Sequence, residues 1–316
     1  MLRIVFFGTP DFAVPTLEAL LGSRHQVVGV VTQPDRPRGR GHRMSPPPVK
    51  VVAERAGLPV WQPVRLKDPA LHDALRALAA DLGVVAAYGR LIPDAVLDLP
   101  RLGLINVHAS LLPAYRGASP IQSAIIAGER ETGITIMRVV TALDAGGTFA
   151  RIVRPIGPDE RSDEVEADLA RLGAPLLVDV VDHLETGRAV ETPQDDARAT
   201  YAPRLTRADG TIDWSQPAIR VHDRVRGVYP WPQASVWLGA QRLALLRTSV
   251  AEGPTGATPG TIVDARGDRL VVACGDGTRL AVLELQPEGR RAMTAREFLA
   301  GHRLEAGTVL GVAPPA

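Results

Sequence analysis

The sequence predicts an α/β fold in which an N-terminal domain with a parallel sheet is followed by a small C-terminal β-barrel. Up to residue 186, short apolar runs alternate with helical stretches, a pattern typical of parallel sheets covered by helices on both faces. After residue 205, short strand-like runs are separated by glycines and charged turns, which indicates a barrel. Two domains also fit a chain of 316 residues that is 45% hydrophobic and 22% charged.

A β-α-β unit opens the chain and predicts a Rossmann-like arrangement for the N-terminal domain. Apolar runs at residues 2–7 and 27–31 flank a helical stretch at about residues 12–21, and Gly22 suits the end of that helix. The same alternation predicts further helices at 49–56, 69–80 and 120–127, and strand-like runs at 60, 84–87, 104–107 and 134–140.

The last third of the chain is expected to form the barrel. A long helix is predicted within residues 162–186, and the stretch after it is rich in Thr, Pro, Gln and Asp, as linkers are. We therefore predict an N-terminal domain at residues 1–187, a linker at 188–205 and a barrel at 206–316. Within the barrel we expect a helix at 217–226 and strands at 235–238, 242–247, 260–263, 270–273 and 280–285.

Composition excludes several classes of protein. The single cysteine, Cys274, excludes an internal disulfide framework and a Cys-rich zinc site, and it fits the reducing cytoplasm. No run of about 18 apolar residues occurs, so we expect neither export nor membrane insertion. The net charge of +1 is weak support for nucleic-acid binding. Residues 33–50, however, carry Arg36, Arg38, Arg40, Arg43 and Lys50 against Asp35 alone. Such a loop is often a solvated excursion, and it also suits phosphate contacts.

Three polar side chains are candidates for a catalytic site. Asn106 and His108 stand two residues apart on a predicted strand and so point to one face, and Asp144 follows the apolar run at 134–140. Ligands of open α/β sheets bind beyond the carboxyl ends of strands, where we expect all three. An amide and an imidazole can stabilise a carbonyl oxygen that gains negative charge, and a carboxylate can orient the imidazole. We therefore expect Asp144 within reach of His108, directly or through one water.

Each of these residues also has a plainer explanation. A lone histidine at a strand end is usually a hydrogen-bonded structural residue, Asn106 could close its strand, and Asp144 could begin a turn. Tyr88-Gly89 alone suits a core edge followed by a turn. The combination of amide, imidazole and carboxylate nevertheless favours acyl transfer without a covalent enzyme intermediate, because no serine or cysteine here has the pattern of an activated nucleophile.

Longer motifs around these residues carry a family resemblance. The segment N-V-H-A-S-L-L-P-A-Y-R-G-A-S-P-I at 106–121, with L-D-A-G at 143–146, resembles the folate-dependent formyltransferases. Further matches narrow the resemblance to members that act on methionine carried by initiator tRNA: F-G-T-P-D-F-A at 7–13, T-Q-P-D-R-P-R-G-R-G at 32–41, A-A-Y-G at 86–89, I-D-W at 212–214 and Y-P-W-P at 229–232. The resemblance spans nearly the full chain, and it departs from the common family residues at Ala114-Tyr115 and at Gly147.

The resemblance implies a reaction, its partners and the residues that serve each. The amine of initiator methionyl-tRNA attacks the formyl carbon of 10-formyltetrahydrofolate, with Asn106, His108 and Asp144 catalytic. Which of His108 and Asp144 moves each proton stays open, because strongly coupled groups titrate as a pair. The folate is expected mainly against the backbone of Ala86, Ala87, Tyr88, Gly89, Ser110, Leu111, Leu112, Pro113 and Leu143. The tRNA is expected against Arg36, Arg38, Arg40 and Arg43, above all Arg40, and against an OB-like C-terminal barrel. We expect no metal and a monomeric chain.

Other functions compete with this interpretation. A formyltransferase that acts on an amino-sugar nucleotide would keep the catalytic residues but would not need an arginine-rich loop. A nucleotide-binding dehydrogenase fits the opening β-α-β unit, yet residues 7–11 lack G-x-G-x-x-G and Pro10 blocks that phosphate turn. A catalytically silent RNA-binding protein would not need the combination of Asn106, His108 and Asp144, which disfavours this alternative.

Overall fold

The structure is a computed structural model that describes residues 1–38 and 43–311. The strands before residue 203 are β1 (Arg3–Gly8), β2 (Gln26–Val31), β3 (Arg36–Arg38), β4 (Arg43–Ser45), β5 (Val60–Trp61), β6 (Leu82–Ala86), β7 (Leu104–His108), β8 (Arg116–Gly117), β9 (Glu131–Arg138), β10 (Thr148–Pro155) and β11 (Tyr201–Ala202). The helices of the same stretch are α1 (Val14–Leu21), α2 (Pro48–Arg55), α3 (Pro69–Ala77), α4 (Asp94–Leu97), α5 (Pro120–Ala127) and α6 (Ser162–Glu185).

The chain forms two compact units that are interleaved in sequence. The first unit comprises Met1–Pro120, Glu131–Arg154 and Glu166–Ala202. The second, which we call the barrel unit, comprises Ile121–Arg130, Pro155–Val165 and the chain from Pro203 onward. Two short segments that precede residue 187 therefore belong with the barrel, a feature that local sequence patterns do not encode.

A seven-stranded sheet forms the centre of the first unit, in the order β10-β9-β7-β6-β1-β2-β5. From β7 through β5, neighbouring strands pair in parallel. Strand β6 is buried along its whole length, as expected for a strand covered on both faces. The predicted α/β fold with a parallel sheet is confirmed in this part of the molecule.

The other end of the sheet differs from the expectation. Strand β9 runs antiparallel to β7, so that Arg138 lies opposite Ile105 and Thr135 lies opposite His108. We did not predict the edge strand β10 or the hairpin of β3 and β4. Strand β10 has Arg151 and Arg154 among its apolar residues and is mostly only partly buried, and the two hairpin strands are only three residues long. Neither therefore has the uninterrupted apolar run that marks a buried strand.

The positions of the helices agree with local sequence signals more closely than those of the edge strands do. Proline occupies the first position of α2, α3 and α5, where its missing N–H costs no hydrogen bond. Asp68 caps α3 by accepting from the backbone N–H of Ala70 at 3.0 Å. These residue types explain why the predicted helices begin close to the observed positions.

The barrel unit contains a closed antiparallel sheet. Its elements are α7 (Ala218–Gly227), β12 (Ala234–Leu238), β13 (Gln241–Ala251), β14 (Ile262–Arg266), β15 (Arg269–Ala273), β16 (Arg279–Pro287), β17 (Met293–Thr294) and α8 (Ala295–Gly301). The strand order is β12-β13-β16-β15-β14, with β17 paired to β16. Residues 307–311 close the two edges, because Trp237 and Gly311 exchange backbone hydrogen bonds and Ile262 bonds to Gly307 and Thr308.

The interior of the barrel unit is an apolar core to which α7 and α8 contribute Val221, Val225 and Phe298. The predicted barrel with antiparallel strands is confirmed, whereas α8 was not expected. Among residues 1–38 and 43–311, no helix combines the length and the apolar character needed to cross a membrane.

Candidate active site

Strand β7 positions two of the three candidate catalytic side chains. Asn106 and His108 alternate with Val107 and so project from the same face of the sheet. His108 is buried, with 5% of its surface exposed, whereas Asn106 is partly exposed. Within the described part of the chain the side chain of Asn106 has no hydrogen-bond partner, so its amide is free to bind a ligand.

Asp144 reaches His108 by a route that differs from the expected one. We expected it at the carboxyl end of a strand beside β7, but the antiparallel direction of β9 puts that end, Arg138, next to Ile105. Asp144 lies instead in the loop between β9 and β10. Its Oδ2 lies 3.7 Å from Nδ1 of His108 and accepts a hydrogen bond from the N–H of Gly117 at 2.8 Å. The expected proximity of carboxylate and imidazole is therefore present.

The partners of His108 fix its tautomer. Nε2 lies 3.1 Å from the carbonyl oxygen of Tyr115, and because a carbonyl can only accept, Nε2 carries a proton. In the neutral ring Nδ1 is then unprotonated, and this nitrogen faces the carboxylate of Asp144. A second proton on Nδ1 would lie between the two groups. This pair can therefore take up a proton and release it again.

The L-D-A-G segment determines the shape of the loop as well as its charge. Asp144 has a φ of +49°, in the left-handed region that aspartate tolerates better than most residues. Replacing Gly146 by any other residue would require the backbone to move, because a Cβ there would collide with the backbone carbonyl of Arg138. The motif thus specifies the backbone conformation that directs the Asp144 carboxylate towards His108.

Gln194 and Arg116 hold this loop in place. Nε2 of Gln194 donates to the carbonyl oxygens of Asp144 at 2.8 Å and Gly146 at 2.7 Å. Oε1 of Gln194 accepts two hydrogen bonds from the guanidinium of Arg116, which is buried and also pairs with Asp196 at 2.7 Å. Gln194 and Asp196 lie in the predicted linker, where no motif marks them. Arg116 stands inside a quoted motif, and its role was missed because its partners are distant in sequence.

A second contact from the predicted linker fixes the position of Gly117. Strand β11 pairs in parallel with β8, so that Ala202 lies opposite Gly117. Thr200 adds two contacts, because its Oγ1 accepts from the N–H of Tyr115 at 2.9 Å and its carbonyl accepts from the N–H of Arg116 at 2.8 Å. Gly117 itself has a φ of +127°, and a Cβ there would lie 2.5 Å from the carbonyl of Ala202. The N–H that binds Asp144 is therefore rigidly placed.

The turn after β6 contains the first group of expected folate contacts. Ala87 and Gly89 are exposed and have φ values of +45° and +81°. The side chain of Tyr88 is buried, and its carbonyl accepts from Oγ1 of Thr9 at 3.3 Å and from Nε2 of Gln33 at 3.2 Å. Both lone pairs of that carbonyl are thus occupied, so Tyr88 has a structural role. The backbone of Ala87 and Gly89 is the part left open to a ligand, and Ala86 is buried where the strand ends.

The second group of expected folate contacts is held by a residue that sequence reasoning missed. Oγ1 of Thr135 donates to the carbonyl of Ser110 at 2.7 Å and accepts from the N–H of Leu112 at 3.2 Å. The hydroxyl of Ser110 donates to the carbonyl of Ala114 at 2.6 Å. Ser110 and Leu112 are buried and shape the loop, whereas the side chains left at least partly exposed are Leu111, Pro113 and Leu143.

A polar network precedes the arginine-rich hairpin of β3 and β4. Both carboxylate oxygens of Asp35 lie 3.0 Å from Nζ of Lys50, and one also accepts from Nε2 of Gln62 at 2.6 Å. The hydrogen bond from Gln62, followed by that from Lys50, lowers the pKa of Asp35. The predicted tRNA contacts stand as follows: Arg36 is exposed, Arg38 and Arg43 are register partners in the hairpin, and Arg40 lies outside the described residues.

One cluster in the described part of the chain has the residue types of a metal site, but its ligand atoms are occupied. It consists of His25, Asp182 and Glu185. Nδ1 of His25 accepts from the N–H of Leu2 at 3.1 Å, and Nε2 lies 2.8 Å from Asp182. Arg24 forms ion pairs with both carboxylates. The cluster is therefore an ion-pair network of the protein itself.

Comparisons with known proteins identify the family of this chain. The family model described as formyl transferase matches residues 2–181, and that of the formyl transferase C-terminal domain matches residues 204–303. The methionyl-tRNA formyltransferase of Trichlorobacter lovleyi is 47% identical over 308 residues, which cover 98% of this chain and 96% of that protein. That of Citrifermentans bemidjiense is 48% identical over 310 residues, with the same coverages of 98% and 96%.

Solved structures share the fold at lower sequence identity. An N-formyltransferase from Helicobacter canadensis, in complex with folinic acid and dTDP-3-aminofucose, has a TM-score of 0.68 and 15% identity, covering 89% of this chain and 99% of its own. A methionyl-tRNA formyltransferase from Clostridium thermocellum has a TM-score of 0.55 and 17% identity, covering 79% and 93%. At these identities the likeness extends to the fold alone.

We predict that Thr135→Val destabilises the protein by about 1–3 kcal/mol, because it leaves the buried N–H of Leu112 and carbonyl of Ser110 without this partner. Thr32→Val is the matched control, since the hydroxyl of Thr32 is buried and has no partner among the described residues. Urea denaturation measures both. Equal stability of the two variants would contradict the assigned role of Thr135.

Proposed function

Because this chain belongs to the formyltransferase family over both domains, we propose that it transfers the formyl group of 10-formyltetrahydrofolate to the free amine of methionyl-tRNA. Identities of 47% and 48% over 98% of the chain to methionyl-tRNA formyltransferases support the tRNA substrate. One observation of the site supports formyl transfer above all. The carboxylate of Asp144 lies 3.7 Å from His108, and His108 shares its strand with Asn106, whose amide is free. The formylated initiator tRNA then serves translation initiation.

The alternative acceptor is the amine of a sugar nucleotide. The amino-sugar formyltransferase structure that resembles this chain is 15% identical, which supports a common fold and carries no information on the acceptor. An enzyme that acts on an amino sugar would also not need the arginines at positions 36, 38, 40 and 43 of the sequence. Methionyl-tRNA is therefore the better acceptor.

The purified full-length chain should release tetrahydrofolate from 10-formyltetrahydrofolate only when methionyl-tRNA is added. Parallel reactions contain an amino-sugar nucleotide, uncharged tRNA or no acceptor, and folate release is followed by absorbance. Uncharged tRNA is the control for binding without a reactive amine. Turnover with the sugar nucleotide but not with methionyl-tRNA would reverse the proposed assignment of the acceptor.

The difficult species in this reaction is the tetrahedral intermediate. The amine nitrogen forms a bond to the formyl carbon, and the carbonyl oxygen becomes an oxyanion. We assign two donors to this oxyanion: the amide N–H groups of Asn106 and the N–H that a protonated Nδ1 of His108 provides. Nε2 of His108 is not the donor, because it already donates to the carbonyl of Tyr115. Loss of one such donor typically raises the barrier by ~3 kcal/mol. The free amide of Asn106 on the same strand face as His108 supports this assignment.

Proton transfers complete the reaction. The attacking nitrogen must lose a proton, and the bond from the formyl carbon to the folate nitrogen breaks as that nitrogen gains one. The pair of His108 and Asp144 suits both steps, because Nδ1 of His108 and the carboxylate can share one proton. Asp144 also orients the imidazole, as the third member of a catalytic trio does. This chemistry requires no metal.

We expect His108→Ala and Asn106→Ala each to lower kcat by about 10²-fold or more, because each removes a donor to the oxyanion. His183→Ala is the matched control, since His183 is an exposed histidine of the same unit. The measurement is single-turnover formylation at saturating methionyl-tRNA, with thermal denaturation as a check on folding. A folded His108→Ala enzyme with near-normal turnover would exclude the proposed role.

The two substrates are assigned to different parts of the first unit. The exposed backbone of Ala87 and Gly89 suits the flat edge of a pterin, which presents alternating donors and acceptors. The arginine-rich hairpin suits the tRNA, because guanidinium groups bind phosphates in pairs of hydrogen bonds and stack on exposed bases. The network of Asp35, Lys50 and Gln62 anchors the residues just before the hairpin.

We predict that Arg40→Ala raises the KM for methionyl-tRNA several-fold while the KM for the folate stays the same. Loss of one phosphate contact should also reduce the slope of log binding constant against log salt by about one. Arg55→Ala is the matched control, an exposed arginine outside the hairpin. Binding is measured by filter retention from low to moderate salt. Equal losses of tRNA and folate affinity would argue against a dedicated tRNA contact.

A further inference from the structure

The barrel unit contains a pocket that the reaction does not use. Its volume is about 540 Å³, within the usual range for ligand sites, and its lining includes Arg207, Trp231, Gln233, Ser235, Trp237 and Arg242. Two indole rings and two guanidinium groups thus face one cavity. None of the described residues that line it carries a carboxylate.

The turn from Arg207 to Gly210 forms one wall of this pocket. Thr206 and Asp209 form a capping box, in which Oδ2 of Asp209 accepts from the backbone N–H of Thr206 at 2.6 Å and from its hydroxyl at 2.7 Å. These hydrogen bonds lower the pKa of Asp209 and occupy its carboxylate. Gly210 packs so closely against the carbonyl of Gln233 that a Cβ would not fit. These contacts therefore fix the backbone of the turn from which the Arg207 side chain extends.

The outer face of the barrel contributes further residues to the lining of this pocket. Along β12, Ala234 and Val236 point into the core, so Ser235 and Trp237 point outward. Trp237 lies directly opposite Arg242 of β13. Cross-strand partners on one face are neighbours, so the indole and the guanidinium lie side by side. Regular strand pairing thus builds an aromatic and cationic surface.

The charges of this pocket are not neutralised by the protein. Neither Arg207 nor Arg242 has a side-chain hydrogen bond or ion pair with any other residue that the structure describes. A larger cavity of the same barrel, about 830 Å³, provides the contrast. Its lining includes Arg269 and Arg296, which pair with Asp264 and Asp268. The lining of the larger cavity also includes the carboxylates of Glu252 and Asp268, so the smaller pocket is the better suited of the two to an anionic ligand.

We propose that this pocket binds an unpaired nucleotide of the tRNA, with its base stacked against the rings of both Trp231 and Trp237 and its phosphates against Arg207 and Arg242. This inference rests on the proposed function, because it takes tRNA as the ligand. Trp231 is 53% exposed, which is unusual for so large an apolar side chain. Stacking of unpaired bases on aromatic rings beside basic residues is the common mode of single-stranded RNA binding. A base within a duplex has both faces covered by its neighbours and cannot stack in this way.

The test compares stacking variants with charge variants in the full-length enzyme. Trp231→Ala and Trp237→Ala should each weaken binding of initiator tRNA by about 5- to 150-fold at every salt concentration, with the salt slope unchanged. Trp231→Phe should recover most of the affinity, because a phenyl ring still stacks. Arg207→Ala and Arg242→Ala should instead reduce the salt slope by about one each. Leu283→Ala and Arg303→Ala, exposed positions of the same barrel outside the pocket, are the matched controls.

Two further measurements separate the possible outcomes. A blunt, fully paired RNA duplex should bind the tryptophan variants and the wild type equally, because it offers no free base. The KM for the folate should not change, and thermal denaturation verifies folding. If the wild type formylates methionyl-tRNA but folded Trp231→Ala and Trp237→Ala variants bind tRNA like Leu283→Ala, the nucleotide pocket is wrong and the proposed function stands. If the wild type neither binds nor formylates methionyl-tRNA, the proposed function fails first.

Discussion

The contact between the Asp144 carboxylate and the backbone N–H of Gly117 is the constraint on which the candidate active site depends. This hydrogen bond of 2.8 Å places the carboxylate 3.7 Å from His108. Neither partner is positioned by a strand of the central sheet, since Asp144 lies in a loop and Gly117 in the short strand β8. The protein therefore uses side chains such as Gln194 and Arg116 to hold backbone segments that would otherwise move.

Hydrogen bonds from buried side chains hold the backbone around the proposed reacting atoms. The carbonyl of Tyr88 is bound by Thr9 and Gln33, and the loop after His108 is bound by Thr135. Polar groups buried in this way stabilise one conformation, because each would lose a hydrogen bond in any other. Groups proposed to bind ligands are the ones left unpaired, such as the amide of Asn106. A preorganised site of this kind needs little rearrangement when charge develops on the substrate.

In the surfaces assigned to tRNA, the basic side chains are left available because nearby acidic side chains are paired within the protein. Arg36 of the hairpin is exposed, and the pocket in the barrel unit is lined by two arginines and two tryptophans. Each of these surfaces lies close in sequence to a carboxylate that already has partners within the protein. Asp35 is bound to Lys50 and Gln62, and Asp209 is bound to Thr206. A free carboxylate beside these arginines would compete with phosphate for the same guanidinium groups. Internal pairing of the acids therefore leaves the basic groups for the ligand.

The sequence by itself determined the α/β core, the barrel and the helix starts at proline, because each depends on local patterns. It also predicted the three residues of the proposed catalytic trio from contiguous motifs. Apolar alternation and capping residues act within a few positions, and L-D-A-G specifies its own turn. Only the tertiary structure decided the antiparallel direction of β9, the route of Asp144 to His108, and the roles of Gln194, Arg116 and Thr135. Those features arise from hydrogen bonds between residues such as Gln194 and Asp144, 50 positions apart. No periodicity encodes such a pairing, since its stability comes from burial and geometry that exist only after the sheet has formed.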